Sequence, residues 1–202
     1  LGSSIDSSEL GDENGFSVSI SDDGSRVAVG AFQHDSSKGI VRVFEYDSSD
    51  WIQIGSDMEG GASGDGQGWS VSISGDGNRL AAGAPLTGGS YVRVYEFDST
   101  NWNQIGSDID GDSNSDEFGF SVSLSYSGNS VAIGGPDHDS SSGHVRVFKD
   151  IGNTWVQVGA DIDGTGGEKF GQAVYLSANG NRVAVGAPRN NNAGAYAGRV
   201  QV

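Results

Sequence analysis

The chain of 202 residues carries a formal net charge of -16 and contains no cysteine. The charge argues against nucleic acid as a partner, because binding to phosphates needs a basic surface. The lack of cysteine excludes disulfides and thiolate metal sites. No run of apolar residues is long enough for a membrane-spanning helix, so we expect no membrane insertion.

The first 55 residues predict four short strands. Apolar and polar side chains alternate over residues 16–21, 26–31, 40–46 and 51–55. Period-2 alternation bounded by Gly, Asp and Asn is typical of strands that bury one face. The tight turn Asp22-Asp23-Gly24-Ser25 joins the first two runs, and helical periodicity is absent. The sequence therefore predicts an all-β fold.

The first three runs return three more times, and the fourth run returns twice. Phe16, Trp69, Phe120 and Gln172 occupy equivalent places, about 52 residues apart. A four-stranded antiparallel unit repeated at this period indicates a β-propeller blade, and we interpret the aromatic residues at this place as packing between blades. The predicted fold is a single propeller-type domain, residues 1–202, of four repeats with approximate bounds 1–43, 44–94, 95–147 and 148–202.

The two ends of the chain leave the closure of the propeller open. Residues 1–6 match the end of a fourth strand, residues 54–59, and residues 198–202 match a third strand, residues 39–43. Pairing of residues 1–5 with residues 199–202 would close a four-bladed ring without exposed edges. The alternative is a set of blades from a larger array, whose edges are open or pair with another chain. The joined blade would lack its tryptophan, and for that reason we expect partner chains at these edges.

Two recurring motifs resemble those of a known family. Phe118-Gly119 and Phe170-Gly171 open a repeat, and Gly83-Ala84-Pro85 and Gly186-Ala187-Pro188 follow the second strand. This pattern resembles the FG-GAP repeat of integrin alpha propellers. The joining segments, such as residues 155–164, resemble those of secreted repeat proteins of microalgae and marine bacteria. The resemblance implies an extracellular or cell-surface location and a non-enzymatic role in adhesion or structure.

The calcium loop of many FG-GAP repeats has no match in the first hairpins. The hairpin is shortened here to Asp22-Asp23-Gly24-Ser25 and its counterparts, and Arg26 stands where a last carboxylate is expected. A tight turn beside a cation cannot supply the six to eight oxygens that calcium prefers. We therefore expect no metal in these turns.

Acidic residues concentrate in the loops after the second and fourth strand of each repeat. Those loops hold 18 of the 27 acidic residues, and the strand order predicts that they lie at one end of the molecule. In the densest loop, carboxylates at alternate positions favour a hard cation such as calcium; its predicted ligands are Asp108, Asp110, Asp112 and Asp116. The alternative is a solvated acidic loop. We interpret His34 and His138 as hydrogen-bonding loop residues.

The repeats are nearly equal, and no catalytic motif stands out from them. This favours a non-enzymatic interaction or structural module, assembled with other protein chains or bound to glycans and aided by calcium. The FG-GAP resemblance implies that this module lies outside the cell or on its surface. The alternative is a propeller-type hydrolase or glycan-acting enzyme, because propellers also host enzymes.

Overall fold

The computed structural model describes residues 2–7, 9–86 and 90–202. The described chain is built of antiparallel β-sheets, as predicted, and its arrangement is propeller-like. The first sheet contains β1 (Ser17–Ile20), β2 (Arg26–Ala31), β3 (Ile40–Tyr46), β4 (Trp51–Gln53) and β5 (Met58–Glu59). The second contains β6 (Ser70–Ile73), β7 (Arg79–Ala84), β8 (Tyr91–Phe97), β9 (Trp102–Gln104) and β10 (Ile109–Asp110).

The third and fourth sheets follow the same order along the chain. The third contains β11 (Ser121–Leu124), β12 (Ser130–Gly135), β13 (His144–Asp150), β14 (Trp155–Gln157) and β15 (Ile162–Asp163). The fourth contains β16 (Ala173–Leu176), β17 (Val183–Ala187) and β18 (Arg199–Gln201). Two helical segments of four residues, α1 (His34–Ser37) and α2 (His138–Ser141), lie in loops, and both have left-handed backbone at their centre.

The predicted fourth strand is divided into two pieces in the first three sheets. In the first sheet, β4 pairs with residues 44–46 of β3, and β5 pairs with residues 40–41 of the same strand. Gly55, between the two pieces, has a φ of 74°, a left-handed conformation that strand residues with a side chain rarely adopt. The glycine therefore interrupts the strand without changing its partner.

Serine hydroxyls join each sheet to the next. The Oγ atoms of Ser17, Ser70 and Ser121 donate to the carbonyls of Gly68, Gly119 and Gly171, at 2.6, 2.7 and 2.7 Å. Two residues further along each first strand, the Oγ atoms of Ser19, Ser72 and Ser123 accept bonds from backbone N–H groups of the next sheet. Consecutive sheets therefore share one register.

The same contact requires glycine on the second strand of each of the first three sheets. A Cβ atom at Gly30, Gly83 or Gly134 would lie 2.2, 2.1 or 2.0 Å from a carbonyl oxygen of the next sheet. At Gly186, the matching residue of the fourth sheet, the nearest atom is the Cβ of Ala173, at 3.6 Å. Close approach of two backbones sets the spacing of the sheets.

Apolar clusters fill the spaces between neighbouring sheets. Val41, Val92 and Val145, at equivalent places on the third strands, are fully buried, and each belongs to a different cluster. The aromatic residues behave as predicted: Trp69 lies between Phe16 and Phe120, with ring centroids 4.9 and 5.5 Å away. Trp102 and Trp155 donate their indole N–H groups to carbonyls of the preceding sheet.

The row of sheets ends at two uncovered faces. Along the row, β1 lies beside β6, β6 beside β11, and β11 beside β16. On the outward side of the first sheet Val18 is 65% exposed, and on the outward side of the fourth sheet Tyr175 is 72% exposed. Within the described residues, β18 pairs only with β17, and residues 2–6 lie against the first sheet instead. Leu1 lies outside the described residues.

The glycine contact predicts unequal effects of one substitution at two matching positions. Gly83→Ala places a Cβ against the backbone of the next sheet, and we expect it to lower the free energy of unfolding by about 2–3 kcal/mol. Gly186→Ala meets no close atom, and a change within about 0.5 kcal/mol is expected. Urea denaturation of both variants measures this, and equal effects would contradict the proposed role of the contact.

Candidate functional site

The loops after the second and fourth strands meet at one end of the molecule, as predicted. The amide of Gly64 donates to the carbonyl of Ser36, and in the third sheet the amide of Lys169 donates to the carbonyl of Ser141. We call the surface formed by residues 32–39, 60–69, 111–120, 136–143 and 164–172 the loop face. Carboxylates and three histidines lie on it and just beneath it.

An arginine–aspartate pair recurs on the strands beneath the loop face. Arg42 pairs with Asp57, Arg93 with Asp108, and Arg146 with Asp161. Burial opposes the ionisation of Asp108, but hydrogen bonds from Arg93 and Gln104 outweigh it and hold the pKa of Asp108 below its ordinary value. Each pair joins the third strand of a sheet to the residue just before the second piece of its fourth strand, and so fixes the break between the two pieces.

Buried carboxylates recur three residues before the glycine that opens each repeat. They are Asp12, Asp65, Asp116 and Glu168, none more than 6% exposed. Asp65 accepts bonds of 2.8 Å from the amide of Ala62 and the hydroxyl of Tyr91. The amides of Ser113 and Thr165 bind Asp116 and Glu168 at the same three-residue distance. These side chains hold the loops in shape, a role that the sequence analysis missed.

The structure places the four predicted calcium ligands in different surroundings. Asp108 pairs with Arg93, and Asp112 is bonded by Arg146. Asp116 is buried against Ser113, and Asp110 is exposed on β10. Among the described residues, only Asp112 of these four belongs to a group of three potential ligands whose atoms lie within 4.8 Å of one another.

The carboxylate of Asp23, in the first hairpin turn, is hydrogen-bonded by other residues of the same turn. It accepts bonds from the hydroxyl of Ser21 and the amide of Ser25, at 2.7 and 2.9 Å. These hydrogen bonds, led by that of Ser21, lower the pKa of Asp23 to about 2. Asp76 in the second sheet is bonded in the same way. The carboxylate serves as the cap of a tight turn.

A cluster of two histidines breaks the repeat pattern in the third sheet. His144, the first residue of β13, is 0% exposed, and its ring stacks on that of His138 with 4.0 Å between centroids. Asp116 Oδ2 lies 3.3 Å from His138 Nδ1, and Asp161 Oδ2 lies 3.7 Å from His144 Nδ1. Burial, and then the nearby charges of His138 and Arg146, lower the pKa of His144 to about 4. The imidazole is therefore neutral at pH 7.

The first sheet contains a simpler version of this cluster. His34 Nδ1 lies 3.1 Å from Asp12 Oδ2 and 3.6 Å from Glu9 Oε2, so His34 is a hydrogen-bonding loop residue, as interpreted from the sequence. The place of His144 is taken there by Ile40, since both residues open the third strand. A second imidazole thus distinguishes the third sheet. The arrangement can hold a cation between imidazoles and carboxylates.

Comparison with known proteins supports the fold. No family model matches the chain, and no curated protein matches it. A solved structure described as a "putative 6-phosphogluconolactonase" from Bacteroides uniformis is 18% identical with a TM-score of 0.60, and the match covers 87% of this chain and 48% of that one. Hydrazine synthase from Kuenenia stuttgartiensis is 16% identical with a TM-score of 0.54, covering 86% and 44%. The chain therefore spans about half the length of either, and at these identities the likeness concerns the fold alone.

No helix among the described residues is long and apolar enough to cross a membrane.

The buried carboxylates predict a further contrast. Asp65→Ala leaves the hydroxyl of Tyr91 and the amide of Ala62 without their acceptor in a buried place, and we expect a loss of about 2 kcal/mol in the free energy of unfolding. Asp110→Ala removes an exposed carboxylate, with an expected change within about 0.5 kcal/mol. Thermal and urea denaturation compare the two variants. A larger effect at Asp110 would show that the carboxylates are misassigned.

Proposed function

We propose that the chain is a non-catalytic assembly module whose four sheets act as blades of a propeller-type array. Copies would associate head to tail, through the faces that its internal sheets use to contact one another. The FG-GAP resemblance favours a place for this assembly outside the cell or on its surface.

The main support for the proposal is the uncovered face of the fourth sheet. Val200 is 73% exposed there, whereas its counterparts Val41, Val92 and Val145 are fully buried by the next sheet. Beside Val200 is a cavity of about 500 Å³, lined in part by Ala173, Gly186 and Gly198. In the other three sheets the next sheet's glycine carbonyl approaches this second-strand glycine. Position 186 is glycine although no described residue comes close enough to require it, which supports a backbone partner at this place.

The first sheet presents the complementary surface. Gly15 donates to Gly30 as Gly68 donates to Gly83, so the carbonyl of Gly15 corresponds to the one that fills each internal contact. Val18 and Ile20 are more than half exposed beside it. Their counterparts Val71 and Ile73 pack against the first sheet. The first sheet therefore presents the glycine carbonyl and the apolar side chains that the uncovered face of the fourth sheet lacks as a partner.

Residues 2–6 extend this complementarity. A Cβ at Gly2 would lie 3.0 Å from the ring of Trp51, as one at Gly55 would lie 2.8 Å from that of Trp102. The amide of Ser3 donates to Asp50, as that of Ser56 donates to Asn101. The segment thus lies on the first sheet as the tail of each sheet lies on the next.

The register of the tail identifies its partner in a neighbouring copy. Met58 and Glu59 pair with Val41 and Ile40, and the corresponding residues of the fourth sheet are Val200 and Arg199. In a head-to-tail pair, Ile5 and Asp6 would meet these two residues. Asp6 would then lie opposite the cation Arg199, and opposite charges across a strand pair are favourable.

The contact between copies would be weaker than the internal ones. Ala173 and Tyr175 of β16 stand where the other sheets have the serines that bond the next sheet. Two hydrogen bonds of the internal contact are therefore missing at this face. The association should be reversible.

A propeller-type hydrolase is the second candidate, and the fold shared with a structure described as a "putative 6-phosphogluconolactonase" favours it. The centre of the row, where the first strands of all four sheets end, encloses a cleft of about 170 Å³. Its serines, Ser19, Ser72 and Ser123, already accept backbone bonds from neighbouring sheets. Their use in packing supports the assembly module. Turnover of a sugar lactone by the purified chain would favour the enzyme.

Sedimentation equilibrium tests the association. We expect the wild-type protein to associate as its concentration rises, and Gly186→Ala to weaken association at least tenfold, because the new Cβ blocks the glycine carbonyl of the next copy. Ala173→Ser restores a hydroxyl that three sheets have, and should strengthen association about fivefold.

The unfolding free energy of each variant, measured below the association range, serves as the control. A wild-type chain that stays monomeric at every concentration would contradict the proposal. So would equal association of all three proteins.

A further inference from the structure

We propose that His138, His144 and Asp112 bind one divalent transition-metal ion of the Zn²⁺ class on the loop face of the third sheet. One potential ligand atom from each of these three side chains lies within 4.8 Å of the others. Imidazole and carboxylate together suit Zn²⁺ and its neighbours, whereas calcium prefers oxygen ligands throughout.

The buried and unpartnered ring of His144 points to a bound ligand. Its side chain is fully buried, and neither ring nitrogen has a hydrogen-bond partner among the residues that the structure describes. A buried polar group without a partner is costly. A metal ion on one nitrogen would satisfy it.

The backbone is adapted to this imidazole. A Cβ atom at Gly135 would lie 2.7 Å from His144 Nε2. The other three sheets have alanine at this place, Ala31, Ala84 and Ala187, opposite Ile40, Tyr91 and Arg199. Glycine thus replaces alanine only in the third sheet, where the opposite residue is a histidine. The pairs in the other three sheets show that packing at this place does not require histidine. This supports a separate role for His144.

Carboxylates lie near the Nδ1 atoms of both imidazoles, within reach of a small adjustment, although neither is hydrogen-bonded to them in this arrangement. Asp116 lies 3.3 Å from His138 Nδ1, and Asp161 lies 3.7 Å from His144 Nδ1. A carboxylate on one ring nitrogen fixes the ring and makes the other nitrogen a better ligand. Asp116 is itself buried and held by Ser113, so this orienting group is rigid.

The charge around the cluster also favours a cation. The formal charges are the four carboxylates of Asp112, Asp116, Asp161 and Asp163 against the single guanidinium of Arg146. Arg146 bonds both Asp112 and Asp161, and its pairing with Asp161 through two nitrogens persists when Asp112 turns to an ion. A cleft of about 140 Å³, lined by His138 and Asp163 among others, opens beside the cluster.

Coordination requires one local movement. The two rings are parallel within 12°, so their lone pairs do not converge on one point. His144 is fixed by burial, whereas His138 is partly exposed on a loop. The ring of His138 therefore rotates out of the stack when the ion binds.

Calorimetric titration of the chelator-treated full chain with Zn²⁺ tests the site, and Co²⁺ absorption spectra report the ligands. We expect one Zn²⁺ per chain. Asp112→Asn and His144→Ile, which introduces the residue of the first sheet, should weaken binding at least tenfold. Asp116→Asn should weaken it about 10- to 100-fold as a positioning change, and alter the Co²⁺ spectrum without abolishing it.

His34→Ala is the matched control, because it removes the histidine of the first-sheet cluster and should leave Zn²⁺ binding unchanged. Circular dichroism checks that each variant folds. Should His144→Ile unfold, the exposed position of Asp112 makes Asp112→Asn the deciding variant. No Zn²⁺ binding by the wild type at millimolar concentration would overturn the proposal. Binding that survives Asp112→Asn unchanged, or that disappears in His34→Ala, would also overturn it.

Discussion

The approach of a glycine carbonyl to a glycine of the preceding sheet is the contact on which the structure depends. At Gly30, Gly83 and Gly134 the space for a Cβ atom is taken by the next sheet's backbone, and a serine hydroxyl bonds the same carbonyl. The contact is short, polar and identical in each pair. It therefore sets both spacing and register, and the apolar clusters fill what it leaves.

Function should lie where this regularity is broken. The paired ions and buried carboxylates recur from sheet to sheet, and their repetition assigns them to architecture. Two sets of residues depart from the pattern that the sheets repeat. Ala173 and Tyr175 replace the bonding serines on an uncovered face, and His144 with Gly135 replaces a packed pair inside the third sheet. We propose that the first departure serves association between copies and that the second serves the binding of a metal ion.

The strands and their repeat could be predicted because a half-buried strand alternates side chains with period two. The interruption at Gly55 could not, since a left-handed glycine inside a strand and one in a turn have the same letter. Solvated and buried carboxylates were also indistinguishable. Asp110 and Asp116 occur in one acidic segment rich in small polar residues, yet Asp110 is exposed on β10 and Asp116 is buried in the loop that follows. His144 was missed because it begins an ordinary strand, and its partner His138 is distant in sequence from Asp112 and Asp116, which the fold brings beside it.

The central claim is that the two uncovered faces meet between copies. Because the chain has no cysteine, Ser4→Cys and Gln201→Cys can each carry one spin label, and pulsed dipolar spectroscopy measures the distance between them. A mixture of singly labelled copies should give a short distance, since residue 4 of one copy lies beside residue 201 of the next. A doubly labelled molecule diluted in unlabelled protein should not give it. A short distance within one molecule, or none between copies, would contradict the account.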